Sequence, residues 1–156
     1  MAKTEIVVEP GKQEIIIRRV FNAPRDLVFK VTTDPNLVPQ WWGPRAYTTI
    51  VDKMELRPGG EWRFIIRDAE GNESAFHGFY HEIASPERIV QTFEFEGAPG
   101  HVSLETSRLE EQEGGKTLMT NTAIYQSVED RDAMVQSGME EGVRELFDRL
   151  AELVEK

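Results

Sequence analysis

The 156 residues carry no cysteine, which excludes disulfides, thiolate metal sites and cysteine nucleophiles and favours a reducing compartment. A formal charge of −10, with no basic run longer than Arg18-Arg19, argues against nucleic acid and anionic membrane surfaces as partners. No apolar run approaches the ~20 residues of a membrane span and the N-terminus has no apolar signal core, so membrane insertion is not expected and the cytoplasm is the expected location.

In chain order, Ile6-Val7-Val8 reads as a short strand, and Pro10-Gly11 supplies the central residues of a type II turn. The β-branched run within Gln13–Asn22 reads as a second strand. Pro24 suits a helix's first turn, Leu27, Val28 and Val31 give that helix an apolar side, and Pro35 stops it. From Asp34 to Arg45, four prolines and glycines surround Trp41-Trp42, which implies a short helix or turns and then a loop. Six strands are then predicted, at Tyr47–Leu56, Glu61–Arg67, Ser74–Ile83, Arg88–Phe95, Val102–Leu109 and Thr117–Tyr125. Their short connections make antiparallel neighbours, because a parallel crossover needs a dozen residues or more.

Ser127-Val128-Glu129-Asp130 resembles a capping box. Beyond it Met139, Val143, Leu146, Leu150 and Leu153 recur at three- and four-residue steps, so one long amphipathic helix is expected over Ser127–Glu155. Gly138 and Gly142 each cost about 1 kcal/mol inside a helix. Close approach to a sheet, or room left for a ligand, would offset that cost. A curved sheet needs a cover for its concave face, and this stripe is the one long enough. The length suits one domain over 1–156 with its core at 13–155.

Several motifs carry a family resemblance. They are Ala-Pro-x-x-x-Val-Phe at 23–29, Asp34-Pro35, Trp41-Trp42-Gly43-Pro44, Arg57-Pro58-Gly59-Gly60-x-Trp62, His77-Gly78, Pro86-x-Arg88 and the Gly142 helix. The chain resembles the activator-of-heat-shock-ATPase-like branch of the START-like (SRPBCC) superfamily, to which polyketide cyclases and the birch-pollen allergen also belong. The resemblance implies an α+β helix-grip fold: a curved antiparallel β-sheet wrapped around a long C-terminal α-helix, with two short helices after the first strand.

Strand alternation assigns the inner face. Trp62 and Phe64 share a side with Ile66; Phe76, Gly78 and Tyr80 share one, absent a bulge; Phe93 and Phe95 share one with Gln91. Met119 and Asn121 join Ala123 and Tyr125. Opposite them stand Met134, Met139, Val143 and Phe147 of the terminal helix. These positions form either a filled core or a ligand cavity, and Trp41 and Trp42 either plug one end of it or form its mouth. Asn121 is the telling polar residue, since a buried amide must be hydrogen-bonded. His77 and His81 would lie about 13 Å apart, too far to share one metal ion at ligand distances near ~2 Å. Arg63 and Arg67 read as a solvated strand face.

No catalytic residue, metal site or cofactor is assigned. The pattern favours a binder of a hydrophobic small molecule, lipid or polyketide-like, over a cyclase- or aromatase-like enzyme using the same cavity. A heat-shock chaperone is the less favoured partner: in the resembling co-chaperone a separate N-terminal domain precedes this fold, which here begins near residue 13. A monomer or weak homodimer is expected.

Overall fold

The computed structural model describes residues 2–156. Eight strands form one sheet: β1 (Glu5–Val7), β2 (Glu14–Phe21), β3 (Thr48–Met54), β4 (Glu61–Arg67), β5 (Glu73–Ala84), β6 (Arg88–Phe95), β7 (Val102–Gln112) and β8 (Lys116–Ile124). Their spatial order is β1-β2-β8-β7-β6-β5-β4-β3, and every neighbouring pair is antiparallel. Strands β3 to β8 thus form a meander, and β2 closes it by pairing with β8. The turn at Pro10-Gly11 has Gly11 at φ +78°, as a type II turn requires.

With β1 counted, the two short helical pieces follow β2. They are α1 (Arg25–Thr33), entered through Pro24, and a 3-10 turn at Val38–Gln40. The expected terminal helix is two helices, α2 (Val128–Gln136) and α3 (Met139–Val154). Ser127 caps α2 as expected, its Oγ accepting the Asp130 amide at 3.0 Å. The break falls at Ser137-Gly138, where Gly138 adopts φ +85°. A residue with a Cβ would pay about 1–2 kcal/mol there. Gly138 is therefore the hinge between two helices and not a weak point inside one. A Cβ added to Gly142 would meet nothing within 4 Å, so close approach to the sheet does not explain that glycine.

Helix α3 lies across the inner face of the sheet. Its Phe147, Leu150, Ala151 and Val154 are buried in one cluster with Phe21 of β2, Val28 of α1, Leu109 of β7 and Met119 of β8. Leu150 is fully buried, whereas Leu146 is half-buried at the margin of this cluster. Arg149 ties α3 to the loop before β3, donating to the Gly43 carbonyl at 2.7 Å, and Arg45 pairs with Glu152. The arrangement is a helix-grip, with the grip tightest where β2, β8, α1 and the second half of α3 meet.

Candidate functional site

The registers order the inner face into rows across the sheet. Arg19, Met119 and Leu109 form one row; Ile17, Asn121, Ser107 and Ile89 form the next. Ile15, Ala123, Glu105, Gln91 and Tyr80 follow, then Ser103 beside Phe93, and then Phe95, Phe76 and Phe64. A bulge between Tyr80 and Glu82 comes after the residues whose parity mattered, so Phe76, Gly78 and Tyr80 share the inner side.

Beyond the packed cluster the inner face is aromatic on one side. The Trp42 ring lies 5.2 Å from Phe64 and 5.3 Å from Phe76, both edge-on, and Phe76 lies 5.5 Å from Phe93 and 5.2 Å from Phe95. Such pairs contribute about 0.5–1.5 kcal/mol each beyond area burial. Trp42, Phe76, Phe93 and Phe95 remain half-buried. Their wall therefore presents ring surface to water.

The sequence-assigned residues separate into three groups. Trp42, Phe76, Phe93, Phe95 and Asn121 line the incompletely covered part, with Val143, Met134 and Met139 half-buried on the helices. Trp62, Phe64, Tyr80, Met119 and Phe147 are buried. Trp41 and Gly78 are structural. Trp41 donates its Nε1 proton to the Val31 carbonyl at 3.2 Å, anchoring the end of α1. Gly78 leaves room for the Trp62 indole, which donates to the Thr92 carbonyl at 3.1 Å; a Cβ at Gly78 would sit 2.7 Å from that indole nitrogen and 1.9 Å from that carbonyl oxygen.

The polar side holds residues the sequence reading missed. Glu105 sits at the centre of the sheet, between Ala123 and Gln91 in register, and its carboxyl has no hydrogen-bond partner among the described residues. Part of its surface is accessible, yet its carboxyl is deep among protein atoms, and burial pushes its pKa up to about 7. Tyr125, two residues beyond Ala123 on the same side, is pushed up by burial first and then by the charge of Glu105, while Arg131 opposes. Burial also raises Tyr80. Asn121 Oδ1 and Ser103 Oγ are buried with no partner. Alternation along Val102–Leu109, with Leu109 set inward, would have placed Ser103, Glu105 and Ser107 on this face. A carboxyl that titrates near neutrality can hold or release a proton and can pair with a cation.

A family model described as activator of Hsp90 ATPase homolog 1-like protein matches residues 22–155. The chain belongs to this family. Among solved structures, a protein of Rhodobacter sphaeroides is similar at 26% identity over 97% of each chain, with a TM-score of 0.88. One of Chromobacterium violaceum is similar at 26% identity over 92% of this chain and 98% of its own, with a TM-score of 0.82. One of Arthrobacter aurescens shares the fold at 24% identity, with a TM-score of 0.88 over 97% of this chain and 91% of its own. A search of curated proteins gives no match.

In this activator-of-Hsp90-ATPase-homolog-like chain the outer face differs in kind. Arg63 grips Glu96 with two nitrogens, at 2.8 and 3.0 Å, and reaches Asp52 at 3.2 Å. His77 stands between Glu96 at 2.9 Å and Glu94 at 3.3 Å. The Arg63 hydrogen bonds, then that of His77, hold Glu96 down to about 2 against the opposing effect of burial. Arg63 and Arg67 are thus paired surface groups, Arg67 with Glu73 at 2.6 Å. A depression of about 350 Å³ also opens on this side, lined by Arg18, Arg108, Thr106, Thr120 and Thr122, and one of about 340 Å³ opens at the end of the sheet between Arg25, Glu87 and Arg108. Their linings are polar, which does not suit an apolar guest. The outer face also carries exposed Leu104 and Ile124, opposite each other in register. Among the described residues no helix is long and apolar enough to cross a membrane.

Proposed function

We propose that this family member is a container for a hydrophobic small molecule, lipid or polyketide-like, held between the inner face of the sheet and α3, with residues 13–155 acting as one binding module. The observation that carries this reading is the half-covered aromatic wall of Trp42, Phe76, Phe93 and Phe95. Apolar surface left in water forgoes roughly 25 cal/mol per Å², and a guest lying on the wall recovers it. Membership of a START-like family, in which hydrophobic ligands are common, supports the same reading.

Val143 is half-buried at the edge of the core cluster, on the helix that faces the wall. The neutral dye N-phenyl-1-naphthylamine should bind the wild type, brighten, and quench tryptophan emission. Val143→Trp should fill the space and abolish that signal while the thermal transition survives. A wild type that binds neither this dye nor any other in a panel of neutral aromatic and aliphatic probes would overturn the reading.

A further inference from the structure

The centre of the inner face is lined with polar groups that lack partners. Glu105 points to the side the container reading assigns to the ligand, and its carboxyl has no protein partner among the described residues. Asn121 lies diagonally across the β7–β8 pair from it, a separation of about 7–8 Å between such neighbours. Its Oδ1 is buried and unpartnered, and so is Ser103 Oγ, two residues from Glu105 on the same strand and side. A buried polar atom left without a partner costs about 1–3 kcal/mol, so two of them in the rows on either side of Glu105 are an expensive arrangement for a scaffold alone.

The charged groups around Glu105 do not satisfy it. On β2, Arg19 is engaged by Asp148 of α3 at 2.6 Å and by Thr4 Oγ1 at 3.0 Å. On α2, Arg131 is taken by Asp132 at 2.9 Å and by the Glu14 carbonyl at 3.1 Å. Tyr125 just past β8 and Tyr80 on β5 are neutral phenols, and Gln91 on β6 is an uncharged amide. No Lys, Arg or His shifts the Glu105 pKa; burial is its one cause.

We propose that the inner cleft takes an apolar, ring-bearing ligand by a hydrogen-bond-donating end, a protonated amine above all, with Glu105 as counter-group and Asn121 Oδ1 as second acceptor, and that it turns carboxylate-ended ligands away. The proposal rests on the container reading and gives it a polarity. The rings lie on Phe76, Phe93 and Phe95, and the amine supplies the positive charge that the surrounding protein withholds from Glu105. A ligand carboxylate would bring a second negative charge beside the first in a half-covered space, where like charges repel. The carboxyl's titration near neutrality makes the preference pH-dependent: amine binding strengthens as pH rises through about 7, and acid binding weakens.

The test compares three probes of one shape, 2-naphthylmethylamine, 2-naphthalenemethanol and 2-naphthoic acid, by calorimetry at about pH 8 and about pH 6. The wild type should bind the amine tighter than the acid by about ten-fold or more at the higher pH, equivalent to about 1.4 kcal/mol. The alcohol should fall between them, and the gap should narrow at the lower pH. In the near-isosteric Glu105→Gln variant, amine and acid should bind within about two-fold of each other, with the pH dependence gone. Equal binding of all three by the wild type, or a preference that survives in Glu105→Gln, overturns the role of Glu105 and leaves the container standing. Binding of none overturns the container and this proposal with it. The wild-type ranking requires no variant, so it decides the matter even where a substitution disturbs folding.

Discussion

At one end of the inner face, Leu109 and Met119 are buried in one cluster with Phe147 and Leu150, and the buried polar side chains beside them are satisfied by the fold, Arg19 having Asp148 and Thr4 as partners and Thr117 donating to the Ala23 carbonyl. Two and four residues further along the same strands, Ser107, Asn121 and Glu105 face a half-covered space. The strands do not change between these regions, nor does the pairing. What changes is the cover. Phe147, Leu150, Ala151 and Val154 are buried in the second half of α3, whereas Met139, Val143 and Leu146 in its first half stay half-buried. A region that fills its volume supplies stability; one that leaves acceptors unpaired gives some up, and that is the usual mark of a site.

The sharpest way to break this comparison is in the packed end. Leu150→Ala should cost about 2–5 kcal/mol by urea denaturation, while Leu146→Ala should cost clearly less. Equal losses would mean that α3 is buried along its whole length and that the two regions do not differ.

The open region should show the opposite sign. Glu105 has its pKa raised to about 7 from a reference of 4.5. Below about 4.5 it is protonated folded and unfolded and contributes nothing. As pH rises from there, the unfolded chain loses its proton first, so stability falls until about pH 7 and stays reduced above it. Glu105→Gln should therefore stabilise at about pH 8 by up to about 3 kcal/mol, and change little near pH 4. Destabilisation at pH 8 would mean that the carboxylate has a favourable partner in the fold.

A smaller effect tests the paired cation. Arg19 is almost wholly buried, and its Nε and Nη2 have no partner. Asp148→Ala removes its carboxylate and should cost about 1–3 kcal/mol in the same denaturation assay. A neutral result would show that Thr4 and the Phe21 ring, 5.6 Å below the guanidinium, suffice.

The smallest effect belongs to the outer face. Glu96, held to about 2 by Arg63 and then His77, adds stability that is present above about pH 4.5 and is lost as pH falls toward 2. Its side chain and that of Arg63 are each about one-third exposed, so solvent screening keeps Glu96→Gln below about 1 kcal/mol at neutral pH. A larger loss, read from thermal melts across that pH range, would make the outer network a structural centre in its own right.

Much of this architecture is local and therefore legible in the chain. The bounds of Glu61–Arg67 and Arg88–Phe95 match the strands, because each is a β-branched and aromatic run between turn residues. The Ser127 cap is legible for the same reason: its bond spans three residues. Strand alternation also set Asn121 and the aromatics of β4, β5 and β6 on one side. Other features depend on partners distant in sequence. Gly138 looks like a costly residue within one amphipathic stripe, and its positive φ marks the break between α2 and α3 that the folded chain makes there. Gly78 looks like a point on a cavity wall until the Trp62 indole is laid across it. Glu105 looks like one acidic residue among 28. Its strand neighbours say which way it points, but only the assembled sheet shows that no cation among the described residues pairs with it. Burial and pairing are sums over elements far apart in the chain, so composition and periodicity determined the frame of this protein, and tertiary packing decided which of its inward residues are core and which stay half-covered and unpartnered.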